Sequence, residues 1–364
     1  MAPGSDRGAS AAVDTASGGA VVVTGAAGPL GRAVVALVAE DPEVTRVVAL
    51  DRKPMRDLPA GVERHQVDLA TAALDPLLAG AAAVLHLDEA GPPRAGMDIS
   101  EPTGEAEVAA RVLAAAGAAG VPHVVVLSSA LVYGAWPTNP VPLTEDAPVR
   151  PNPGVAVASE RAAIEGLAAQ WRESHPGATA TVLRPTTTVS PRGNGWVARA
   201  LGRRSTVPVG DDEPPAQFLD LDDLAAAVDL ARRLRIDGAR NVAPDGWVSG
   251  ETVRALAARP RVPVPEPVAV RLAAARWRWG ISETPPALLP YTVHPWVVAN
   301  DRLRADGWAP ASTNEEAYVA SHRVGPWATL SPRRRQEIAL GASGAAIVGS
   351  VVGAVSLLRR RSRR

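Results

Sequence analysis

The sequence predicts an α/β protein built on a doubly wound parallel sheet, with a smaller lobe interleaved toward its C-terminal end. Three observations carry this expectation. Short runs such as AVVVT (20–24), RVVAL (46–50) and HVVVLSS (123–129) are apolar along most of their length, as strands covered on both faces are. Helix-length stretches separate these runs, and parallel strands need such crossovers. Between the first strand and the first helix lies a glycine-rich turn, VVVTGAAGPLGR (21–32).

Taken in order, residues 1–19 (MAPGSDRGASAAVDTASGG) are small and polar without periodicity. They read as a disordered arm, and their lack of an apolar run argues against a signal peptide. The strand at 20–24, the turn and a helix to about Glu40 follow. Further strands are expected at 46–50, 62–67 (VERHQV), 82–87 (AAVLHL) and 123–129, with helices near 73–79 and 103–118. A helix over 155–173 and the strand TATVLR (179–184) complete a first domain over 20–185. Beyond Pro185 the rhythm breaks into segments rich in Pro, Gly and Trp (190–217 and 259–297). We expect a lobe over 186–330, with parts of 217–245 returning to complete the sheet. Within it, PEPVAVRLAAARWRWG (265–280) has two readings. It is a basic amphipathic helix offering Trp277 and Trp279 to a lipid interface, or a lid that packs both tryptophans inward.

The tail differs from the rest. IALGASGAAIVGSVVGAVSLL (338–358) runs 21 residues without a charge, between Arg333–Arg335 and a closing RRRSRR. A helix of that length is about 30 Å long, the thickness of the hydrocarbon layer. Gly349 and Gly353 form a GxxxG pair that lets two helices approach closely. We expect an apolar helix over 336–358 that anchors a cytoplasmic domain to a membrane. The alternative is a small-residue helix packed on the domain or on a partner copy.

Composition narrows the chemistry. With 38 basic and 38 acidic residues, the formal net charge is +0, which argues against nucleic acid as a partner. There is no cysteine, so disulfides, thiolate metal sites and cysteine nucleophiles are excluded. The six histidines lack metal-ligand spacing, so no metal is expected. Lys53 is the sole lysine.

The glycine turn is the most informative motif. Gly25, Gly28 and Gly31 lie between strand and helix, where absent side chains let a backbone approach a pyrophosphate and the helix N-terminus offers free N–H groups. Asp51, at the end of the next strand, lies 20 residues beyond Gly31, where a carboxylate accepts from adenine-ribose hydroxyls. These features predict a Rossmann-type domain that binds a nicotinamide dinucleotide. Asp51 repels a 2′-phosphate and favours NAD over NADP, although Arg52 beside it pulls the other way. Pro29, at the first helical turn, suits a helix start but removes one N–H donor, a loss of about 1 kcal/mol.

From about 20 to 320 the chain resembles the extended short-chain dehydrogenase/reductase family, the NAD-dependent epimerase/dehydratase group that includes UDP-glucose 4-epimerase-like proteins. TGAAGPLG matches its TGxxGxxG, and VDL (67–69) its acidic residue after the third strand. VLHLDEA (84–90), SSALVYG (128–134), LRPTTTVSP (183–191), FLDLDDLAAA (218–227) and RLRADGWAP (302–310) match later family segments. The resemblance implies cofactor contacts from Gly25, Gly28, Leu30, Gly31, Asp51, Arg52, Asp68, Leu69 and Leu87. It also implies a small-molecule hydroxyl substrate and pairing of two copies through helices that follow the fourth and fifth strands.

The family's chemistry uses a Ser, a Tyr and a Lys, with Tyr and Lys one helical turn apart. Ser129 stands at the serine position. Glu165 matches a Glu usual four residues beyond the Lys, which puts Arg161 at the Lys position and Val157 at the Tyr position. Arginine keeps the positive charge but not the shape or the titration of lysine, and valine has no proton to give. Packing in an apolar helix face is the plain expectation for Val157. Asp88 and Glu89 replace small residues of the family, and Glu105 stands about where it has Asn.

Three functions follow. One is an NAD-binding relative without the standard hydride-transfer chemistry, acting as a sensor or scaffold at a membrane. The second is an active epimerase or oxidoreductase on a sugar nucleotide or similar compound, using a bound water, Tyr291, Glu145 or Asp146 as its acid. The third is a protein that works at a membrane surface.

Overall fold

Three consecutive valines form the middle of β1 (Ala20–Thr24), and every residue of that strand is buried. The computed structural model describes residues 19–87, 91, 99–202, 214–257, 266–280 and 285–321. Residues 1–18 of the arm anticipated over 1–19, and the apolar helix anticipated over 336–358, lie outside them. After β1 come α1 (Pro29–Glu40), β2 (Arg46–Asp51), β3 (Glu63–Gln66), α2 (Asp75–Leu78) and β4 (Ala81–His86). Then follow α3 (Glu105–Ala118), β5 (His123–Leu127), α4 (Ala156–Ser174), β6 (Thr179–Pro185), β7 (Thr187–Val189) and α5 (Trp196–Gly202). The remainder is β8 (Phe218–Asp220), α6 (Leu221–Leu234), β9 (Gly238–Val242), α7 (Gly250–Ala257), α8 (Glu266–Arg278), α9 (Pro290–Val293), α10 (Asp301–Ala305) and α11 (Asn314–Ser321).

Seven strands form one parallel sheet in the order β3-β2-β1-β4-β5-β6-β9. Period-two alternation sorts the strand residues between two cores. Val21, Val23, Val125 and Leu127 face α1 and α6. Val22, Val124 and Val126 face α3 and α4. The helices answer with matching stripes: Val34, Val35 and Val38 of α1 on one side, Ile164, Ala168 and Trp171 of α4 on the other. Each such side chain contributes about 1.5–3 kcal/mol on burial. The helix expected near 73–79 is a single turn. Pro76 suits only its start, and Gly80, at φ +70°, ends the segment.

The chain leaves the sheet after β6 and returns for α6 and β9. In between, β7 and β8 pair in parallel as a separate two-stranded sheet. Two lobe cores sit beyond the sheet, one around Tyr133, Leu143, Tyr291 and Trp296, the other around Val189, Phe218 and Tyr318. Within the lobe, α8 turns Trp277 inward, 7% exposed, and Trp279 outward, 74% exposed. The expectation that both tryptophans would pack together is corrected. Residues two apart on a helix point about 200° apart.

Candidate functional site

The strand order reverses between β1 and β4, so their C-terminal ends bound a crevice, where ligands of open α/β sheets bind. At the end of β1, Gly25 adopts φ +71°, and its carbonyl accepts the N–H of Gly28 at 3.0 Å. Gly31 packs the first turn of α1 onto this bend. A Cβ there would lie 2.2 Å from the Gly25 oxygen and 2.7 Å from Ala26 Cα. A Cβ on Gly28 would be 3.2 Å from the same oxygen. Pro29 opens α1 and lines the crevice with Leu30.

Asp51 closes the turn from the end of β2. Its Oδ2 accepts the N–H of Ala27 at 2.9 Å and its Oδ1 that of Lys53 at 2.7 Å. Each oxygen retains a further acceptor site. Arg52 and Asp68 are exposed nearby in sequence, and Asp68 Oδ1 accepts the N–H of Ala70 at 3.0 Å. Leu69 and Leu87 are core side chains, so what they offer a ligand is backbone. The Leu69 carbonyl is already bonded to Arg111 Nε at 3.1 Å, and the Leu87 N–H donates to Thr24 O at 3.3 Å. Asp88 and Glu89 lie outside the described residues.

A cleft of about 130 Å³ continues from this turn past α4 toward the lobe. Val157, Arg161 and Ser129 all line it. Val157 is half-buried, packed against the core around Tyr133 and Trp296 as an apolar helix-face residue and open to the cleft on its other side. Ser129 Oγ accepts the N–H of Leu131 at 3.2 Å and caps the 3₁₀ turn Ala130–Tyr133. Arg161 is buried and engaged. Its Nη1 donates to Leu127 O at 2.7 Å, and its Nη2 lies 3.2 Å from Glu105 Oε2. Glu105 and Arg161 are therefore a compensated pair, and they are the only ionisable side chains among the described residues lining the cleft. The neighbouring residue of α4, Glu160, accepts from the N–H groups of Thr103, Gly104 and Glu105 and from Thr103 Oγ1, at 2.6–3.0 Å. It satisfies the orphan donors at the start of α3.

His86 ends β4, fully buried and hydrogen-bonded through Nδ1 to Thr24 Oγ1 at 2.8 Å. Burial first, and then the charge of Arg161, push its pKa down to about 3.

The alternative acids do not reach the cleft. Tyr291 is a core side chain whose hydroxyl donates to Leu131 O at 2.8 Å, and burial raises its pKa. Glu145 Oε1 accepts the Asn241 N–H at 2.9 Å, while Arg302 pairs with both Glu145 and Asp146. Those three expectations are corrected: each group already has a partner in the lobe or at the surface.

Sequence reasoning passed over the network behind the cleft. Glu165 accepts from Ser128 Oγ at 2.5 Å and from Arg184 Nε and Nη2 at 3.0 and 2.6 Å. Arg184 Nη1 reaches the Tyr133 hydroxyl at 2.7 Å, which itself donates to Asn241 Oδ1 at 2.7 Å. Burial opposes the Arg184 charge, but the Glu165 carboxylate more than offsets it and holds the pKa up. Burial also raises the pKa of Tyr133. The signal for this network was present in SSALVYG and LRP, whose polar residues sit at strand ends.

Comparisons with known proteins agree with this architecture. Residues 21–242 match the family described as "NAD dependent epimerase/dehydratase family". An uncharacterized protein of Mycobacterium tuberculosis (strain ATCC 25618 / H37Rv) is 25% identical over 328 residues, covering 84% of this chain and 87% of its own. Among solved structures, a Thermus thermophilus UDP-glucose 4-epimerase in complex with NAD is similar, with a TM-score of 0.62 and 21% identity over 83% of this chain and 97% of that one. MoeE5 in complex with UDP-glucose and NAD is similar too, with a TM-score of 0.59 and 22% identity over the same shares. At these identities the structural likeness is one of fold.

Proposed function

The chain belongs to the NAD dependent epimerase/dehydratase family, and we propose that it binds NAD at the β1–α1 turn but does not carry out hydride transfer through a Tyr/Lys pair. The turn fits such a cofactor. Gly31 leaves no room for a Cβ, and Asp51 keeps acceptor capacity at the end of β2. Gly25 and Gly28 bring the backbone up to the phosphates, and the N-terminal turn of α1 adds its dipole. Asp51 disfavours a 2′-phosphate by charge, so NAD is preferred over NADP. When bound, the nicotinamide supplies the hydride acceptor or donor.

The observation that carries the second half is the Arg161–Glu105 pair beside Val157. Oxidising a substrate hydroxyl requires a group that takes its proton as hydride leaves. At the wall of the cleft Val157 has no such group, and the guanidinium of Arg161, which offers donors and no acceptor, faces Glu105 at 3.2 Å. Ser129 remains to orient a bound hydroxyl or carbonyl. This combination supports a protein that holds NAD and a polar small molecule together without exchanging a proton between them.

Calorimetric titration of NAD, NADH, NADP and NADPH into the full chain, followed by turnover assays with UDP-glucose and UDP-galactose, tests both halves. The expected result is NAD binding without conversion. Glu105→Asn, Val157→Tyr and Arg161→Lys together rebuild the family's arrangement, and conversion is expected in that triple variant. Glu105 is included because Val157→Tyr with Arg161→Lys alone would leave its carboxylate facing the new lysine. Turnover by the wild type through the same cleft overturns the proposal, and so does a failure of NAD to bind.

A further inference from the structure

The two readings of segment 265–280 are resolved by which side of α8 faces outward. Trp277 is buried, and α8 packs against the turn Pro286–Leu288 of the lobe. Trp279 continues the helical register, its N–H donating to Ala275 O at 3.2 Å, before Gly280 ends the segment at φ +66°. Val268, Leu272, Ala275 and Trp279 therefore fall at i, i+4, i+7 and i+11, within about 60° of arc. All four are exposed, Val268 at 49%, Leu272 at 40% and Trp279 at 74%. Val268, Leu272 and Trp279 thus share one outward apolar stripe, while Val270, 43% exposed, lies on the opposite side of the helix.

The edges of this stripe are cationic. Arg271 and Arg278, seven apart, run along one side and Arg276 along the other. The segment 267–280 contains no acidic residue. An apolar stripe with an exposed tryptophan, edged by arginines, matches an anionic lipid surface in both polarity and charge. The same chain carries the uncharged 21-residue segment 338–358 between arginine clusters, long enough to cross a bilayer as a helix. Among the described residues no helix is long and apolar enough to cross a membrane, α8 included.

We infer that α8 is a membrane-contact element that lays its Val268–Leu272–Trp279 stripe into the interface of an anionic bilayer, with Arg271, Arg276 and Arg278 against the headgroups. This contact fixes how the domain sits on the surface and is independent of whether the cleft holds NAD.

The absence of cysteine makes a direct test available. Leu272→Cys and, separately, Glu43→Cys in the turn before β2 each give the full chain a single thiol for an environment-sensitive fluorophore. The chains are mixed with vesicles of phosphatidylcholine alone or with phosphatidylglycerol added, and membrane-bound protein is isolated by co-sedimentation. The expected result is a blue shift and protection from acrylamide at position 272 but not at 43, on the anionic vesicles. Changing each of the three arginines to Gln is expected to weaken that signal about fivefold. An unshifted label at 272 on membrane-bound chains overturns the inference. A shift that grows with protein concentration without vesicles assigns the stripe to a second copy and also overturns it. A shift produced by NAD with UDP-glucose alone would make α8 a lid and overturn it equally.

Discussion

The β1–α1 turn and the start of α4 face the same cleft and are built on different kinds of constraint. At the turn, backbone decides: a Cβ on Gly31 meets a carbonyl oxygen at 2.2 Å, so the residue type follows from packing whatever the protein does. At α4, side-chain chemistry decides. Val157 lies half-buried at the cleft wall, and Arg161 is accommodated because Leu127 O and Glu105 face it. A turn of this kind is thus preserved by the fold itself, whereas side chains at a position like α4 can change without loss of the fold once their charges are balanced.

The contrast breaks most severely at Gly31. Gly31→Val forces the turn and the helix apart, with an expected loss of about 4 kcal/mol or more and no residual NAD binding. Chemical denaturation and calorimetry check this, and near-normal stability would show that the turn can yield. The α4 corner breaks next. Arg161→Met removes the cation that faces the buried Glu105 carboxylate and is expected to cost about 3–5 kcal/mol. Adding Glu105→Gln is expected to restore most of that, and additive losses in a double-mutant cycle would show that the two are not a pair.

A smaller effect sharpens the comparison, because His86 bridges the two corners between Thr24 and Arg161. Burial holds its folded pKa to about 3, and that of His123 to about 4, both below the ordinary 6.5. The folded chain binds fewer protons than the unfolded one. These contributions are complete above pH 6.5 and are lost as pH falls toward 4 and 3. Each histidine steepens the decline by about 1.4 kcal/mol per pH unit in that window. In His86→Gln, unfolding followed from pH 7 to pH 4 is expected to show a shallower slope, and an unchanged slope would mean that His86 is protonated in the fold.

These differences also explain what was legible in advance. The seven-stranded architecture follows from apolar runs and crossovers, and the turn from glycines whose reason is steric. The register Val157–Arg161–Glu165 was readable because Glu165 marks it, and the structure gives that carboxylate to Ser128 and Arg184. The Glu105–Arg161 pair was hidden: both residues stood out as departures from the family, but charges 56 residues apart are not seen to face each other until α3 and α4 pack. Tyr291, Glu145 and Asp146 were offered as acids on residue type alone, and their orientation depends on lobe packing that periodicity does not encode. The opposite fates of Trp277 and Trp279 were missed in both readings, although residues two apart on a helix cannot share one face.

The link between α1 and α6 also has a consequence for synthesis. Asp41, just past α1, bonds to Arg232 of α6, 191 residues later in the chain. On a ribosome adding about 5–20 residues per second, that interval lasts about 10–40 s. Throughout it, one side of the nascent sheet, with Val34, Val35 and Val38 of α1 beside it, waits for its covering helix. The interleaved lobe thus lengthens the period in which the half-made domain is open to chaperones.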